Sequence, residues 1–433
     1  MNIVEKLVQN ARTLRFNVVV NIIGSFLNNA FALIFILILV RLFNPETYAT
    51  LSIMLAVAFV LSNILDFGST ATIYSYFPPL FEKKSHELYN FIKTTFFYQT
   101  TFSLVVILLL ILLFPTIDHA FLKSGATYFD FILTAISSLI FIWRNNIANI
   151  FFAAKKFIRV NIYLNISNVL TLLFIGLLIY FHSVTVTSVI IVSGILGPAT
   201  MFLLVLYDKP YVAARVFHSL IQKDQFRLTY TLAYFFGAQF LNVGMRVDLF
   251  MLSYYQDYVS KADVGYYGLA QKTSLVIIAI IISITQVLSP EFSKIKHKKE
   301  VLDHLKTAFL YMFIPSSLLL FFLLLPNSAY GFIFTEKFID TALVVKSLCL
   351  PFIIFSFSNV PLLFLLYTVR RPKYIFVGNL LFFIITTFLC YLLIPIMGIS
   401  GPPNALNIGL FVMLIIYSIA SIYEYRKLPT KLI

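Results

Sequence analysis

Long apolar runs dominate this sequence and restrict what it can fold into. Residues 103–114 read SLVVILLLILLF, and residues 317–326 read SLLLFFLLLP. A helix needs roughly 20 mostly apolar residues to cross the hydrocarbon core of a bilayer. Charged residues make up only 12% of the chain, against about 25% in a typical soluble domain. The sequence therefore predicts an all-α protein that crosses a membrane many times.

Apolar blocks between charged or proline-bearing breaks give about twelve spans by this length criterion. Their approximate limits are residues 17–40, 49–76, 90–114, 127–154, 160–181, 184–207, 228–255, 264–289, 304–325, 341–367, 374–397 and 403–423.

Segments of different character flank these spans and separate the first six from the last six. Residues 1–16 carry apolar residues at helical spacing and predict an interfacial amphipathic helix. The predicted domains are an N-terminal lobe over 17–207, a basic cytoplasmic linker over 208–227, a C-terminal lobe over 228–425 and a cytoplasmic tail over 426–433.

Basic residues are distributed unequally between the two sides of the predicted membrane. If the N-terminus is cytoplasmic, 24 of the 32 Lys and Arg residues lie at loops or span ends on that side, 5 lie on the other side and 3 lie inside spans. Cytoplasmic loops are enriched in Lys and Arg, so both termini are predicted to be cytoplasmic. The net charge of +14 then needs no nucleic-acid partner, because it is spread over many loops.

Similar positions recur in the two halves at an offset of 213 or 214 residues, which corresponds to six spans. An even number of spans keeps both halves in one orientation, so the repeat predicts two six-helix bundles related by a pseudo-two-fold axis normal to the membrane. In transporters of this architecture the substrate site lies between the lobes. The matching positions are 24–29 with 237–242 (Asn29 with Asn242), 91–98 with 304–311, Asn146 with Asn359, and Asn165 with Asn379.

The sequence carries no motif that predicts an enzyme or a bound cofactor. It has no GxxxxGK[ST] segment for nucleotide phosphates and no HExxH metal pair. Cys349 and Cys390 lie in apolar runs and predict neither a disulfide framework nor a metal site. A membrane glycosyltransferase or polymerase is the rival class, but it would need a large loop with clustered catalytic residues, and the longest loop here has about twenty residues.

Arg246 and Asp248 place opposite charges inside a predicted span, where a charge at the bilayer centre costs about 2.5–3.5 kcal/mol. The two residues lie about 200° apart on a helix and cannot pair along one face. Arg246 aligns with Gln239 and Asn242, while Asp248 lies on another face. Arg246 either contacts an anionic substrate or pairs with an acid or a carbonyl of another helix. Asp248 is either a counter-charge to Lys272 or a residue of ion coupling.

Further polar residues inside spans are candidates for the same site. Arg144 lies in the polar segment WRNNIAN with Asn146. This segment is expected to face the bundle interior, and the alternative is that Arg144 extends toward the cytoplasmic interface. Asp66 either anchors a loop or binds a ligand. The candidate substrate-binding residues are Arg246, Lys272, Arg144, Asn242, Gln239, Asn29 and Asn146, and the candidate ion-coupling or structural charges are Asp248 and Asp66.

Two stretches carry a family resemblance. Residues 41–48 read RLFNPETY and precede a span that ends in LDFG (65–68), while Asp248 precedes the stretch DVGYYGLAQK at 263–272. Together they resemble the polysaccharide flippases of the multidrug/oligosaccharidyl-lipid/polysaccharide (MOP) exporter superfamily. One departure is Ala49, where the family usually has glycine.

The resemblance implies export of polyprenyl-diphosphate-linked oligosaccharide units of O-antigen, capsule or exopolysaccharide across a bacterial inner membrane, without ATP hydrolysis. It implies membrane lipids, a polysaccharide polymerase and a chain-length regulator as partners, and leaves a proton or sodium gradient open as the energy source. The alternative is an ion-coupled exporter of drugs or other amphiphiles from the same superfamily. Three bases inside the spans favour an anionic substrate, because exporters of cationic drugs favour acidic cavities.

Overall fold

A computed structural model of the chain describes residues 23–24, 26–82, 87–222, 228–293, 295 and 297–429. All regular elements in this part are helices. The predicted interfacial helix over residues 1–16 lies outside the described residues, as do residues 223–227 of the predicted linker and the last four residues of the tail.

Sixteen α-helices follow one another in the described residues, and three π-helical segments interrupt or extend them. The helices are α1 (Phe26–Leu42), α2 (Pro45–Leu65), α3 (Ser69–Glu82), α4 (Glu87–Ile117), α5 (Tyr128–Ala153), α6 (Phe157–Tyr180), α7 (Val186–Ile190), α8 (Gly197–Asp208), α9 (Pro210–His218), α10 (Leu228–Tyr254), α11 (Lys261–Ser293), α12 (Lys298–Leu324), α13 (Asn327–Phe334), α14 (Thr341–Leu363), α15 (Lys373–Met397) and α16 (Gly401–Lys427). The π-helical segments are Asp118–Leu122, Ile191–Leu196 and Phe364–Thr368.

The helices account for all twelve predicted spans. Within the described residues, nine apolar stretches are long enough to cross a membrane, and the last of these, Lys373–Lys427, contains both α15 and α16. Helix α1 covers residues 26–40 of the first predicted span, whose earlier part lies mostly outside the described residues, and α10 lies in the seventh. The prediction of an all-helical protein that crosses a membrane many times is therefore confirmed.

The second predicted span, residues 49–76, proved to be two helices rather than one. The chain leaves the helical conformation between α2 and α3, where Phe67 and Gly68 have φ angles of 50° and 75°. The side chain of Asp66 stabilises this break by accepting hydrogen bonds from Ser69 Oγ at 2.8 Å and from Thr70 Oγ1 at 2.8 Å. Hydropathy alone cannot reveal such a break, because both helices are apolar.

The chain forms two compact units. Unit 1 contains Met1–Phe35, Val57–Phe114 and Thr127–Phe235, and unit 2 contains Ile36–Ala56, Pro115–Ala126 and Phe236–Ile433. In unit 2, α14 packs against α11, α12 and α16. The predicted lobe boundary at 208–227 and the two-fold relation between the lobes remain predictions.

Helix α2 packs very closely on α11 inside unit 2. A Cβ atom added to Gly265 would lie 2.1 Å from the carbonyl oxygen of Pro45, and one added to Gly268 would lie 2.6 Å from Cβ of Ser52. The two helices can approach this closely only because neither glycine has a side chain. The stretches 41–48 and 263–272, which are remote in sequence, are therefore neighbours in unit 2.

The segment that follows α4 is held to the same unit by hydrogen bonds to its backbone. Thr50 Oγ1 donates to the carbonyl oxygen of Ser124 at 2.9 Å, and Gln256 Nε2 donates to that of Lys123 at 2.7 Å. Ser253 Oγ donates to the carbonyl oxygen of Leu122. These bonds satisfy backbone groups where the chain is not α-helical, which is required in a membrane protein.

Candidate functional site

Helices α10 and α11 bring four polar side chains together in the interior of unit 2. These are Arg246 and Asp248 of α10 and Tyr267 and Gln271 of α11, which we call the α10–α11 polar cluster. Arg246 is 6% exposed, Gln271 is 2% exposed, and Asp248 and Tyr267 are fully buried. Tyr267 and Gln271 are four residues apart and so present their side chains on one face of α11.

Asp248 accepts hydrogen bonds from three different groups. Tyr267 OH donates to one carboxyl oxygen at 2.6 Å, and the backbone N–H of Leu249 donates to the other at 2.8 Å. Gln271 Nε2 lies 2.9 Å and 3.0 Å from the two oxygens. A carboxyl group saturated in this way is held in one position, so these contacts agree with a structural role. Ion coupling through Asp248 remains a prediction.

Gln271 also connects Asp248 to Arg246. Arg246 Nη1 donates to the amide oxygen of Gln271, whose amide nitrogen faces Asp248. The sequence predicted that Arg246 and Asp248 cannot pair along one face of the helix, and the hydrogen bonds run through the Gln271 amide instead. Both side chains reach α11, although they lie on different faces of α10. The long Arg246 side chain makes this arrangement possible despite the angular separation on α10.

Lys272 does not pair with Asp248. Its ammonium lies over the ring of Tyr48, 5.5 Å from the centroid, in a cation–π contact. Adjacent residues point about 100° apart on a helix, so Lys272 turns away from Asp248 when Gln271 faces it. No carboxylate oxygen in the described part of the chain lies within 4.0 Å of Lys272 Nζ. The charges of Lys272 and Arg246 repel each other.

A second set of polar side chains lies inside unit 1, where α3, α4 and α5 meet. Asn146 is fully buried; its amide oxygen accepts from Ser69 Oγ at 3.0 Å and its amide nitrogen donates to Gln99. Asn149 Nδ2 donates to Thr70 Oγ1 at 2.9 Å. Asn146 therefore faces the bundle interior, as the sequence predicted, but its neighbour Asn145 is exposed.

Arg144 is half-buried on α5. Its Nε atom is inaccessible to solvent and has no hydrogen-bond partner among the described residues. Within the same part of the chain, no carboxylate oxygen lies within 4.0 Å of its guanidinium. Arg144 thus resembles Lys272 in being a cation inside a span without a counter-charge from the described chain.

The remaining candidate residues lie apart from these groups. Gln239, Asn242 and Asn29 are all half-buried, and no hydrogen bond joins Asn242 to the α10–α11 polar cluster. Near Asn29, it is the adjacent Asn28 that accepts a hydrogen bond from Asn168 Nδ2 at 2.5 Å. Asp66 anchors the turn between α2 and α3, which agrees with the loop-anchoring interpretation of this residue.

Sequence reasoning assigned no role to Tyr48, Gln99, Tyr267 or Gln271. Three of them lie in the stretches that carry the family resemblance, and the spacing of four between Tyr267 and Gln271 is a signal that they share a helix face. The described residues contain no group of three or more His, Cys, Asp or Glu side chains that could hold a metal ion.

Comparisons with known proteins agree with this architecture. The family described as polysaccharide biosynthesis protein matches residues 14–296. Among individually curated proteins, none matches the chain in sequence.

Solved structures share the fold at low sequence identity. A multidrug resistance MATE family transporter of the MOP superfamily, in an inward-facing conformation, has a TM-score of 0.71 at 13% identity and covers 95% of this chain and 98% of its own. The lipid II flippase MurJ, in an inward closed conformation, has a TM-score of 0.72 at 14% identity, with coverages of 94% and 89%. A MOP superfamily transporter from Pyrococcus furiosus has a TM-score of 0.62 at 14% identity, with coverages of 95% and 95%. The chain is thus a multi-pass membrane protein with the fold of MOP superfamily transporters, and it belongs to the polysaccharide biosynthesis protein family.

Proposed function

We propose that this protein moves polyprenyl-diphosphate-linked oligosaccharide units across a bacterial inner membrane by alternating access, without changing them covalently. The family match concerns polysaccharide biosynthesis, and one protein of similar fold is named a lipid II flippase. Together these two findings support a substrate that combines a glycan with a lipid. In this proposal both termini are cytoplasmic. The partners are membrane lipids, a polysaccharide polymerase and a chain-length regulator.

The observation that carries the proposal is the environment of Lys272. Its ammonium is held over the Tyr48 ring at 5.5 Å, inside a span, with no carboxylate of the described chain within 4.0 Å. A cation inside a membrane span normally pairs with another group or marks a substrate path. An anion that contacts Lys272 would also relieve its repulsion with Arg246.

The chemistry of the substrate matches this charge arrangement. A diphosphate cannot enter hydrocarbon unaided, because the loss of ion solvation is prohibitive. Ammonium and guanidinium groups offset that loss with charge-assisted hydrogen bonds, and the planar guanidinium binds phosphate oxygens in a bidentate manner. We assign Lys272 and Arg246 to the head group. Arg144 is a third candidate, in unit 1.

Export of cationic drugs is the second candidate function, favoured by the fold shared with a multidrug resistance transporter. Such a substrate needs an accessible carboxylate. Asp248 and Asp66 are instead saturated by hydrogen bonds from Tyr267, Gln271, Ser69 and Thr70. The charge arrangement therefore supports the anionic substrate. Transport requires no organic cofactor in this proposal, and a proton or sodium gradient supplies the energy.

The test measures polymer at the cell surface, normalised to the amount of protein in the membrane. We expect Lys272→Ala to abolish export. Lys272→Arg should retain part of it, because arginine keeps the positive charge while the length and shape of the side chain change. The matched control is Lys346→Ala. Lys346 also lies over a tyrosine ring, 6.0 Å from the centroid of Tyr330, but it already donates to Asn327 Oδ1 at 2.7 Å.

Arg246 is tested in the same assay. If it contacts the substrate, Arg246→Ala abolishes export at a normal protein level and Arg246→Lys restores part of it. If it only balances Asp248, Arg246→Ala lowers the protein level, because breaking a buried charge pair costs roughly 3–5 kcal/mol, and Arg246→Ala with Asp248→Asn recovers it.

Normal export by a well-expressed Lys272→Ala variant would refute the assignment of the head group to Lys272.

A reconstituted system separates the two candidate functions. Liposomes containing the protein receive either a fluorescent polyprenyl-diphosphate sugar or a cationic dye. Transport of the labelled lipid, lost in Lys272→Ala, supports the proposal. Transport of the dye alone would overturn it in favour of a multidrug exporter.

A further inference from the structure

A groove of about 540 Å³ lies in unit 1 where the turn between α5 and α6 meets the end of α8. Its volume falls within the roughly 300–1,000 Å³ of small-molecule sites. It contains none of the candidate transport residues. Lys155, Lys156 and Arg159 line one part of it, and Tyr207 and Asp208 line another.

The charges in the groove are not balanced. Asp208 already has partners: Arg159 Nε lies 3.2 Å and Lys209 Nζ 3.9 Å from its carboxylate oxygens, and Tyr163 OH donates to it. Lys155 and Lys156 are exposed, and no carboxylate of the described chain lies within 4.0 Å of either. Two positive charges therefore remain for a ligand.

The turn presents these two lysines together. Helix α5 ends at Ala153 and α6 begins at Phe157, so the turn has only three residues. Lys155 has a φ angle of 58°, a left-handed conformation that is uncommon for a residue with a side chain. The short turn keeps both ammonium groups beside the groove.

Apolar and aromatic side chains form the rest of the surroundings. Ile158 and Ile162, one turn apart on α6, are 47% and 50% exposed, and Tyr207 is 90% exposed. Both isoleucines line the groove. Exposed apolar side chains near the end of a span face lipid, and tyrosine collects at the membrane interface. The groove thus combines a cationic end with walls that suit an acyl chain.

We propose that this groove binds an anionic phospholipid of the bilayer, with the phosphate at Lys155 and Lys156 and the upper acyl chain against Ile158 and Ile162. Basic pockets between helices at the cytoplasmic face bind anionic lipid head groups. The distribution of Lys and Arg over the loops predicts that Lys155 and Lys156 lie on the cytoplasmic side. The site is separate from the transport residues, so the proposal does not rest on the proposed function.

The experiment is native mass spectrometry of the full chain in a neutral detergent, titrated with phosphatidylglycerol and, separately, with phosphatidylcholine. Each lysine near an anionic lipid strengthens binding roughly fivefold. We expect the wild type to retain one phosphatidylglycerol in preference to phosphatidylcholine, and Lys155→Ala with Lys156→Ala to weaken this binding about 30-fold. Both lysines are exposed and lie in a turn, so the variant should fold.

The matched control is Lys299→Ala with Lys306→Ala, which removes two exposed lysines of α12 on the same predicted side. It should retain the lipid as the wild type does. Equal retention by the groove variant and the wild type, or equal loss in both variants, would overturn the proposal, since the second result indicates general electrostatic attraction. Millimolar glycerol phosphate should not displace the lipid, because it lacks the acyl chain. Displacement by equimolar polyprenyl diphosphate would assign the groove to the transport substrate and refute the phospholipid.

Discussion

Replacing Gly265 with alanine should destabilise unit 2 strongly, because the contact it makes is with backbone. The added Cβ would lie 2.1 Å from the carbonyl oxygen and 2.9 Å from the carbonyl carbon of Pro45. Ordinary van der Waals contact begins at 3.4 Å, so the start of α11 must move away from α2 by about 1.3 Å. No side-chain rotation can relieve the overlap.

The magnitude follows from two contributions. Overpacking of a well-packed interior costs about 1–3 kcal/mol and occasionally more. The displacement also stretches the 2.6 Å bond from Tyr267 to Asp248, two residues further along α11, and a hydrogen bond to a charged group contributes about 1.5–3 kcal/mol. We expect Gly265→Ala to lower the free energy of unfolding by roughly 3 kcal/mol or more.

The protein carries its own reporter for this assay. Its two cysteines, Cys349 and Cys390, are both buried in unit 2, so a thiol-reactive fluorophore labels them only as the unit opens on heating in mild detergent. Gly265→Ala should lower the labelling temperature clearly. The matched control is Gly176→Ala on α6, where a Cβ meets nothing within 4 Å and the labelling temperature should not fall.

A compensating substitution distinguishes the two glycines. At Gly268 the overlap is with the side chain of Ser52, at 2.6 Å and 2.7 Å. Ser52→Gly should therefore recover much of the loss in Gly268→Ala, but none of the loss in Gly265→Ala. An unchanged labelling temperature for Gly265→Ala would refute the close packing of α2 on α11. Equal rescue of both variants by Ser52→Gly would contradict the assignment of each contact.

Three further predictions concern single contacts and topology. Tyr267→Phe should lower the free energy of unfolding by about 1.5–3 kcal/mol, measured by the same labelling; the neighbouring Tyr266→Phe is the control, and an equal effect of both would contradict the role of the Tyr267 hydroxyl. Asp257→Ala should change stability by less than about 1 kcal/mol, because the Asp257 side chain is 80% exposed in its pair with Lys123; a larger loss would show that this pair matters more than its exposure suggests. In intact cells, a single cysteine replacing Lys261 should react with an impermeant reagent and one replacing Lys299 should not; the reverse pattern would invert the predicted topology.

The number and position of the spans were predictable because hydropathy over about 20 residues depends little on neighbouring helices. Hydropathy did not reveal the break at Phe67, since the break depends on two backbone angles and on hydrogen bonds to Asp66; the LDFG stretch at 65–68, which resembles the end of a span in the family, marks its position. Asn146 was correctly placed in the interior, because a buried amide inside a span has few alternatives. The spans and the interior position of Asn146 were predictable because each depends on a single segment of the chain.

The partners of the charged residues were not predictable, because they depend on how two helices are rotated against each other. The sequence offered Lys272, at the start of the eighth predicted span, as a counter-charge to Asp248 in the seventh. The orientation of α11 instead directs Gln271 to Asp248, and Lys272 consequently lies over Tyr48. Rotating α11 by one residue position would turn Lys272 instead of Gln271 toward Asp248. The sequence of α11 alone does not determine this rotation.

The packing of α2 on α11 also has a consequence for the order in which the protein matures. Pro45 leaves the ribosome long before Gly265, and at about 5–20 residues per second the delay is on the order of 10–40 s. During that time the first part of α2 and the segment after α4 are already in the membrane without the surface that later covers them. Formation of unit 2 is therefore a late step in biosynthesis. Until α11 has been synthesised, the first part of α2 lies in the membrane without its packing partner.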